Sequence, residues 1–407
     1  MAAVDSRSLH GEVRRRSVRL AKQVRLAAAF LLMMVSGLVW NSFALFLVAL
    51  EGEFHWSRAS ISGAYGAFAL VNAVSAPIFG YLLGRYNSRV LLAGAAMLLA
   101  LAFLLTAQVS TIGQFWLTFG LIGGLGTHCT SSYAIFAVLA GRFRKRPATA
   151  MAIADAGSGL AAFLGLPIMS WMINDFGWRF TYSSLGLVLM GIAVPLHLLV
   201  IDRVKSASGA GGRYGMAGLG WVTILALVIS YFCGSAAYHG LMTQQIALFE
   251  DNNVAGETAV WIAAVAGLII FVWRLLSGWL CDLWGAGPVM SLAALAGVLT
   301  FGMLAAILVT ANVAALFVYP LVLGIAFGGQ QVLLANRARV VVTLSALSAV
   351  LGVCRLASGI GMAGGPVIFG FLHDWRDGYG VAIVAIAGLA FFHFVAFSAI
   401  RPRSIAG

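Results

Sequence analysis

From Trp261 to Cys281 the chain reads WIAAVAGLIIFVWRLLSGWLC, 21 residues carrying a single charge, Arg274. A helix rises about 1.5 Å per residue, so this run covers the roughly 30 Å of a bilayer's hydrocarbon core. An arginine inside such a run costs about 2.5–3.5 kcal/mol to insert. A second arginine, Arg355, interrupts the apolar run Val342–Leu372. Two such residues point to a water-filled path with an anion on it.

The rest of the chain is built in the same way. It is 61% hydrophobic and 9% charged, with a mean hydropathy of +0.97, where a soluble domain carries about 25% charged residues. Only helices and closed barrels satisfy their backbone in lipid, and a barrel would show short alternating segments. The composition therefore predicts an all-α membrane protein. Twelve spans fit: 26–50, 59–83, 89–108, 112–141, 148–173, 180–201, 219–248, 258–281, 287–310, 313–335, 342–372 and 378–400. No cleavable leader is expected, because the basic N-terminus runs straight into the first span.

The net charge of +12 could suggest a nucleic-acid partner, but its distribution argues against one. With the N-terminus inside, 20 of the 25 lysines and arginines fall on the cytoplasmic side of these spans, among them Arg14, Arg15, Arg16, Arg142, Arg144, Lys145 and Arg146. Only Arg58, Arg179 and Arg376 fall outside. That asymmetry is the positive-inside rule, and it predicts two cytoplasmic termini and a plasma-membrane location. Cys129, Cys233, Cys281 and Cys354 stand singly. No spacing suits a metal, so no cofactor and no metal site are expected.

The end of the Arg274 span also occurs earlier in the chain. Gly278-Trp279-Leu280-Cys281-Asp282-Leu283 echoes Gly80-Tyr81-Leu82-Leu83-Gly84-Arg85, 198 positions before it. The same offset maps Ala49-Leu50 onto Ala247-Leu248, and Trp178-Arg179 maps onto Trp375-Arg376 with an offset of 197. Two pseudo-symmetric bundles of six helices follow. A cytoplasmic tail (1–25) precedes the first bundle (26–201), a polar linker (202–218) leads to the second (219–400), and a short tail (401–407) closes the chain. Parallel repeats of this kind place a transporter's substrate near the midplane between the halves.

On these residues the whole chain resembles the major facilitator superfamily. That family carries a Gly-x-x-x-Asp-Arg-x-Gly-type gate motif after span 2. Gly80, Arg85 and Arg89 fit it, with Gly84 in place of the aspartate, and the second copy keeps Gly278, Asp282 and Gly285. A narrower resemblance rests on three stretches. Glu51-Gly52-Glu53-Phe54-His55-Trp56-Ser57-Arg58 is similar to a signature before span 2 in bacterial monocarboxylate porters and oxalate/formate antiporters. Arg146-Pro147 with Ala154-Asp155-Ala156-Gly157-Ser158-Gly159 resembles their span 4–5 region, and Gly365-Pro366 through Asp374 and Gly378-Tyr379 resembles their span 11–12 junction.

The resemblance implies that Arg274 and Arg355 face a central cavity, where guanidinium forks would hold a carboxylate. The alternative is a structural pair, with each arginine bonded to backbone carbonyls or to Asp155. Asp155, about 12 Å into its span, is a candidate proton carrier or a gate paired with an arginine of the second half. The alternative is an acid reaching the cytoplasmic rim near Arg144 and Lys145. Asn41, Tyr65, His128, Tyr133 and His239 are further candidate substrate contacts, each of which could equally be packing. Two departures stand out from the proton-coupled porters, which carry an aspartate where Ile270 stands and a lysine at Asn41. A third is Gly352, which replaces a bulky aromatic of the antiporters and leaves room for a substrate larger than oxalate.

Together these readings predict a secondary transporter of small mono- or dicarboxylates, not an enzyme, acting as a monomer in a bacterial inner membrane. Protons or a counter-transported anion are the candidate coupling partners. Two other functions remain open: export of drugs or other hydrophobic compounds, and a non-transporting membrane sensor. Drug antiporters carry Gly-Pro-x-x-Gly-Gly in span 5, where this chain has Gly165-Leu166-Pro167-Ile168. A sensor would usually append a soluble domain.

Overall fold

The computed structural model describes residues 2–130, 135, 147–199, 221–310, 314–329, 334 and 344–400, and the described residues form helices joined by short turns. The helices are α1 (Ala2–Asn41), α2 (Phe43–Phe54), α3 (Arg58–Arg85), α4 (Ser88–Thr106), α5 (Ile112–Phe115), α6 (Pro147–Val188), α7 (Val194–Leu199), α8 (Trp221–Asp251), α9 (Gly256–Trp284), α10 (Ala286–Thr310), α11 (Ala314–Phe327), α12 (Leu344–Arg376) and α13 (Gly380–Ala399). Among the described residues, nine helical stretches are long and apolar enough to cross a membrane. One of them, Ala150–Leu199, turns at Gly177, whose φ of 83° a side chain would resist. It covers most of the expected spans 148–173 and 180–201. The expected spans 112–141 and 313–335 extend into residues that are not described.

Two stretches differ from the sequence expectation. The first helix begins at Ala2 rather than near 26, so the basic segment is continuous with the span and only Ser42 separates it from α2. After α5, Trp116–Gly123 is π-helical and passes through Gly124–Gly126 into a 3-10 turn, Thr127–Thr130. Nothing in the apolar pattern marks that extra residue per turn.

Local signals explain where the helices start and turn. Ser57 caps α3 by accepting from Ser60 N (3.2 Å). Asn87 caps α4 through Arg89 N (3.2 Å), and Thr111 with Gln114 forms a capping box on α5. The 198-residue repeat is visible in the backbone. His55 closes α2 with φ 54°, and Asn253, 198 positions later, follows α8 with φ 61°.

The two halves of the chain meet along α3 with α12, α6 with α9, and α2 with α8. Small residues allow the close approach. A Cβ on Gly66 would meet the Ala363 carbonyl at 2.8 Å. A Cβ on Gly159 would lie 2.8 Å from Phe271 N, and one on Gly267 would lie 2.6 Å from Ala162 Cβ. The chain halves therefore touch backbone to backbone at both seams.

Candidate functional site

The α6–α9 seam carries two of the three charges read from the sequence as intramembrane, Asp155 and Arg274. Arg274 projects from α9, and its Nε donates to the Gly328 carbonyl at 2.8 Å. Its Nη1 donates to the Asp155 carbonyl at 2.9 Å and to the Ser158 hydroxyl. It also lies 3.3 Å from Asp155 Oδ2, forming an ion pair between the two halves of the chain. Ser158 in turn donates to the Asp155 carbonyl (2.9 Å). A guanidinium has five N–H donors. Nη2 bonds none of the described residues, and the Arg274 and Asp155 side chains remain 22% and 19% exposed. The pair is therefore both bonded and reachable. Ile270, one turn away, is buried and apolar.

Arg355 is half-buried on α12, whose neighbours are α8, α3 and α13. The two arginines thus stand on helices that belong to different seams. A Cβ on Gly352, one turn before Arg355, would meet nothing within 4 Å.

Tyr65 and His239 come together from opposite halves. The Tyr65 hydroxyl is 3.0 Å from His239 Nδ1, and Trp40 packs edge-on against both rings. Asn41 turns back on its own helix and donates to the Gly37 carbonyl (2.7 Å). His128 stays within the first half, stacked on Phe79 with Nε2 2.8 Å from the Ser75 hydroxyl. Tyr133 lies outside the described residues. At the other end of α3, Arg85 stacks on Tyr81 and Arg89 opens α4. A Cβ on Gly80 would meet open space. Gly278 and Asp282 belong to α9, with their side chains outside the description.

Sequence reasoning missed the most densely bonded polar cluster, at the opposite end of α3. Arg58 is 7% exposed. Its Nε donates to Glu51 (2.9 Å), Nη1 to Asp251 (2.5 Å) and to the Tyr379 hydroxyl (2.7 Å), and Nη2 to Asp251 (3.0 Å). His373 Nε2 is 3.1 Å from Nη1, and Ala59 N donates to Asp374 (2.8 Å). The Tyr379 hydroxyl donates to Gln244 Oε1 (3.0 Å), whose amide nitrogen donates to Ser62 (2.9 Å). Burial raises the Tyr379 phenol above its usual range, which keeps it a donor. The available signal was that two of the quoted motifs, Glu51–Arg58 and Gly365–Tyr379, are charged at the same end of neighbouring spans. Their meeting is this cluster.

Two spaces flank the seams. A crevice of about 190 Å³ lies between α2, α6, α8 and α9, with Ser170, Asn174, Glu250 and Glu257 among its lining residues. An apolar groove of about 620 Å³ runs along α3 and α12 beside Trp116.

Comparison with known proteins gives a consistent result. The profile of the Major Facilitator Superfamily matches residues 29–347. Monocarboxylate transporter 13 of Rattus norvegicus is 25% identical, covering 94% of this chain and 92% of that one. An uncharacterized MFS-type transporter of Bacillus subtilis, YcxA, is 24% identical over 61% of this chain and 62% of its own. Among solved structures, the nucleoside transporter NupG superposes with a TM-score of 0.72 at 16% identity, covering 92% of this chain and 98% of that one. A bacterial homolog of the human lysosomal transporter Spinster does so with 0.70 at 15% identity, covering 93% and 98%. At those identities the structural matches speak for the fold alone.

Proposed function

Because the chain belongs to the Major Facilitator Superfamily, we propose that this transporter carries small organic anions, mono- or dicarboxylates, by rocking its two halves around a midplane site. The observation that carries the reading is the Asp155–Arg274 pair. It joins the halves, sits inside apolar helices and remains partly exposed. The likeness to monocarboxylate transporters over nearly the whole chain supports the same substrate class.

In this reading a carboxylate enters the seam and competes with Asp155 for Arg274, while Arg355 supplies a second cation from α12. With Asp155 ionised the three groups total +1, which suits a monocarboxylate. With Asp155 protonated they total +2, which suits a dicarboxylate or an anion travelling with a proton. Asp155 would thus act as the gating or proton-coupling acid. Tyr65 and His239 would report closure, since their bond forms only when α3 and α8 approach. The positive-inside pattern supports cytoplasmic termini, which would put the Arg58 cluster on the outer side and Arg85 and Arg89 on the inner side.

The test is uptake of labelled carboxylates into proteoliposomes, with and without a pH gradient. Arg274→Gln should lose at least about a hundredfold of the uptake rate, a transition-state loss of about 2.7 kcal/mol, while the melting profile in detergent stays cooperative. Uptake that survives this substitution unchanged would remove Arg274 from the site. Stimulation by internal substrate would mark exchange, and stimulation by an inward proton gradient would mark symport.

A further inference from the structure

The Arg58 cluster contains one group whose charge ordinarily changes near neutral pH, the imidazole of His373. Its Nδ1 lies 3.2 Å from Asp374 Oδ1. Its Nε2 lies 3.1 Å from Arg58 Nη1 and 3.2 Å from Asp251 Oδ2. One nitrogen cannot serve both neighbours. In the neutral ring with the proton on Nδ1, Nε2 accepts from Arg58. In the charged ring Nε2 carries a proton and donates to Asp251.

These two bonds differ in what they join. Arg58 to His373 links α3 to α12, across the two halves of the chain. His373 to Asp251 links α12 to α8, both in the second half. Protonation therefore exchanges a bond across the seam for one within a half. It also sets an imidazolium against a guanidinium across that seam, and brings a competitor for the carboxylate oxygen that Arg58 holds at 2.5 Å.

The surroundings can hold the added charge. Glu51 comes from α2, Arg58 from α3, Glu250 and Asp251 from α8, Asp374 from the same helix and Tyr379 from just beyond it. An imidazolium there meets attraction from Asp251 and Asp374, both in its own half, and repulsion from Arg58 across the seam.

We propose that His373 is a proton-binding site that unlocks the seam between α3 and α12: neutral, it completes the Arg58 clamp, and charged, it loosens it. This site is separate from Asp155, which lies on the α6–α9 seam, and it would make opening at this end depend on the pH outside even if the carried anion brings no proton.

The experiment measures the seam directly and uses no substrate, so its outcome is independent of the transport assay. Gly52 and Gly380 are exposed, belong to opposite halves, and have open space where a Cβ would sit. Spin labels on Gly52→Cys and Gly380→Cys, with Cys129, Cys233, Cys281 and Cys354 replaced by alanine, report the distance between α2 and α13 in lipid nanodiscs. From about pH 8 to about pH 5.5, a range that spans ordinary imidazole titration, the ratio of long to short distances should rise about tenfold, equivalent to about 1.4 kcal/mol. His373→Gln can accept from Arg58 while remaining uncharged, so it should hold the high-pH ratio at both values. His373→Arg, charged throughout, should hold the low-pH ratio. A parent distribution that ignores pH, a His373→Gln response equal to the parent's, or a closed His373→Arg would each overturn the proposal.

Discussion

The end of α2 and the end of α8 are copies of one another that make opposite connections. An offset of 198 takes Glu53 to Asp251, His55 to Asn253, Ser57 to Ala255 and Arg58 to Gly256. The backbone keeps the likeness, with His55 and Asn253 both left-handed. The distant partners keep it too: Arg179 lies over Trp178 at 4.3 Å, and Arg376 over Trp375 at 4.4 Å. The carboxylates nevertheless diverge. Glu53 turns back into its own half and accepts from Trp178 and Arg179. Asp251 reaches across to Arg58. The cause is one residue, because the second copy has Gly256 where the first has Arg58. The α3–α12 seam is therefore stapled, while the matching α6–α9 seam ends in the crevice beside Gly256, Glu250 and Glu257. In this duplicated chain a single side chain decides whether a carboxylate closes its own half or ties the two halves together.

That contrast can be broken most sharply at Arg58. Its side chain is 8% exposed, and removing one partner of a buried pair leaves the others charged and unpaired. Arg58→Gln should cost about 3–5 kcal/mol, read as a lower melting temperature in detergent. A melt within a degree of the parent would mean that the clamp contributes nothing to holding the seam. Next in size is the reciprocal change. Gly256→Arg should give the second seam the staple it lacks, with the new guanidinium drawing Glu53 off Arg179. Glu250 Oε1 would lie 2.5 Å from the added Cβ and must swing aside, which a flexible carboxylate can do. Charge-assisted bonds there should contribute about 1.5–3 kcal/mol, raising the melting temperature and slowing uptake. A faster transporter would contradict the idea that this seam must open. The smallest effect belongs to Glu53. Its pair with Arg179 is 41% and 45% exposed, and surface pairs contribute about 0–1 kcal/mol. Glu53→Gln should therefore melt within a few degrees of the parent, and a loss as large as that of Arg58→Gln would erase the distinction between the two copies.

Much of the fold was legible before any coordinates, for a physical reason. Lipid forces apolar runs of near-constant length, and duplication leaves an offset that the caps at 55 and 253 still obey. The Asp155–Arg274 contact could be anticipated because so few charges lie deep that each must find another. The Arg58 cluster could not, because apart from Glu51 its partners lie 193 to 321 positions away and no periodicity announces such a meeting. Nor could the π-helical turn at Trp116–Gly123, since an apolar run reads alike with four or five residues per hydrogen-bonded step. Tyr65 and His239 were named separately as cavity residues, and only the packing of α3 near α8 makes them partners.

The glycines at the other seam bear on how the halves can move. Interlocked side chains resist rotation like meshed gears, since every tooth must clear its neighbour before the next engages. Gly159 and Gly267 present no teeth. A Cβ on either would press to within 3.0 or 3.1 Å of the other's carbonyl, closer than an ordinary methyl contact. α6 and α9 can therefore roll on one another as smooth rods do, with little to lift over, and a methyl group at either position would turn that bearing into a wedge.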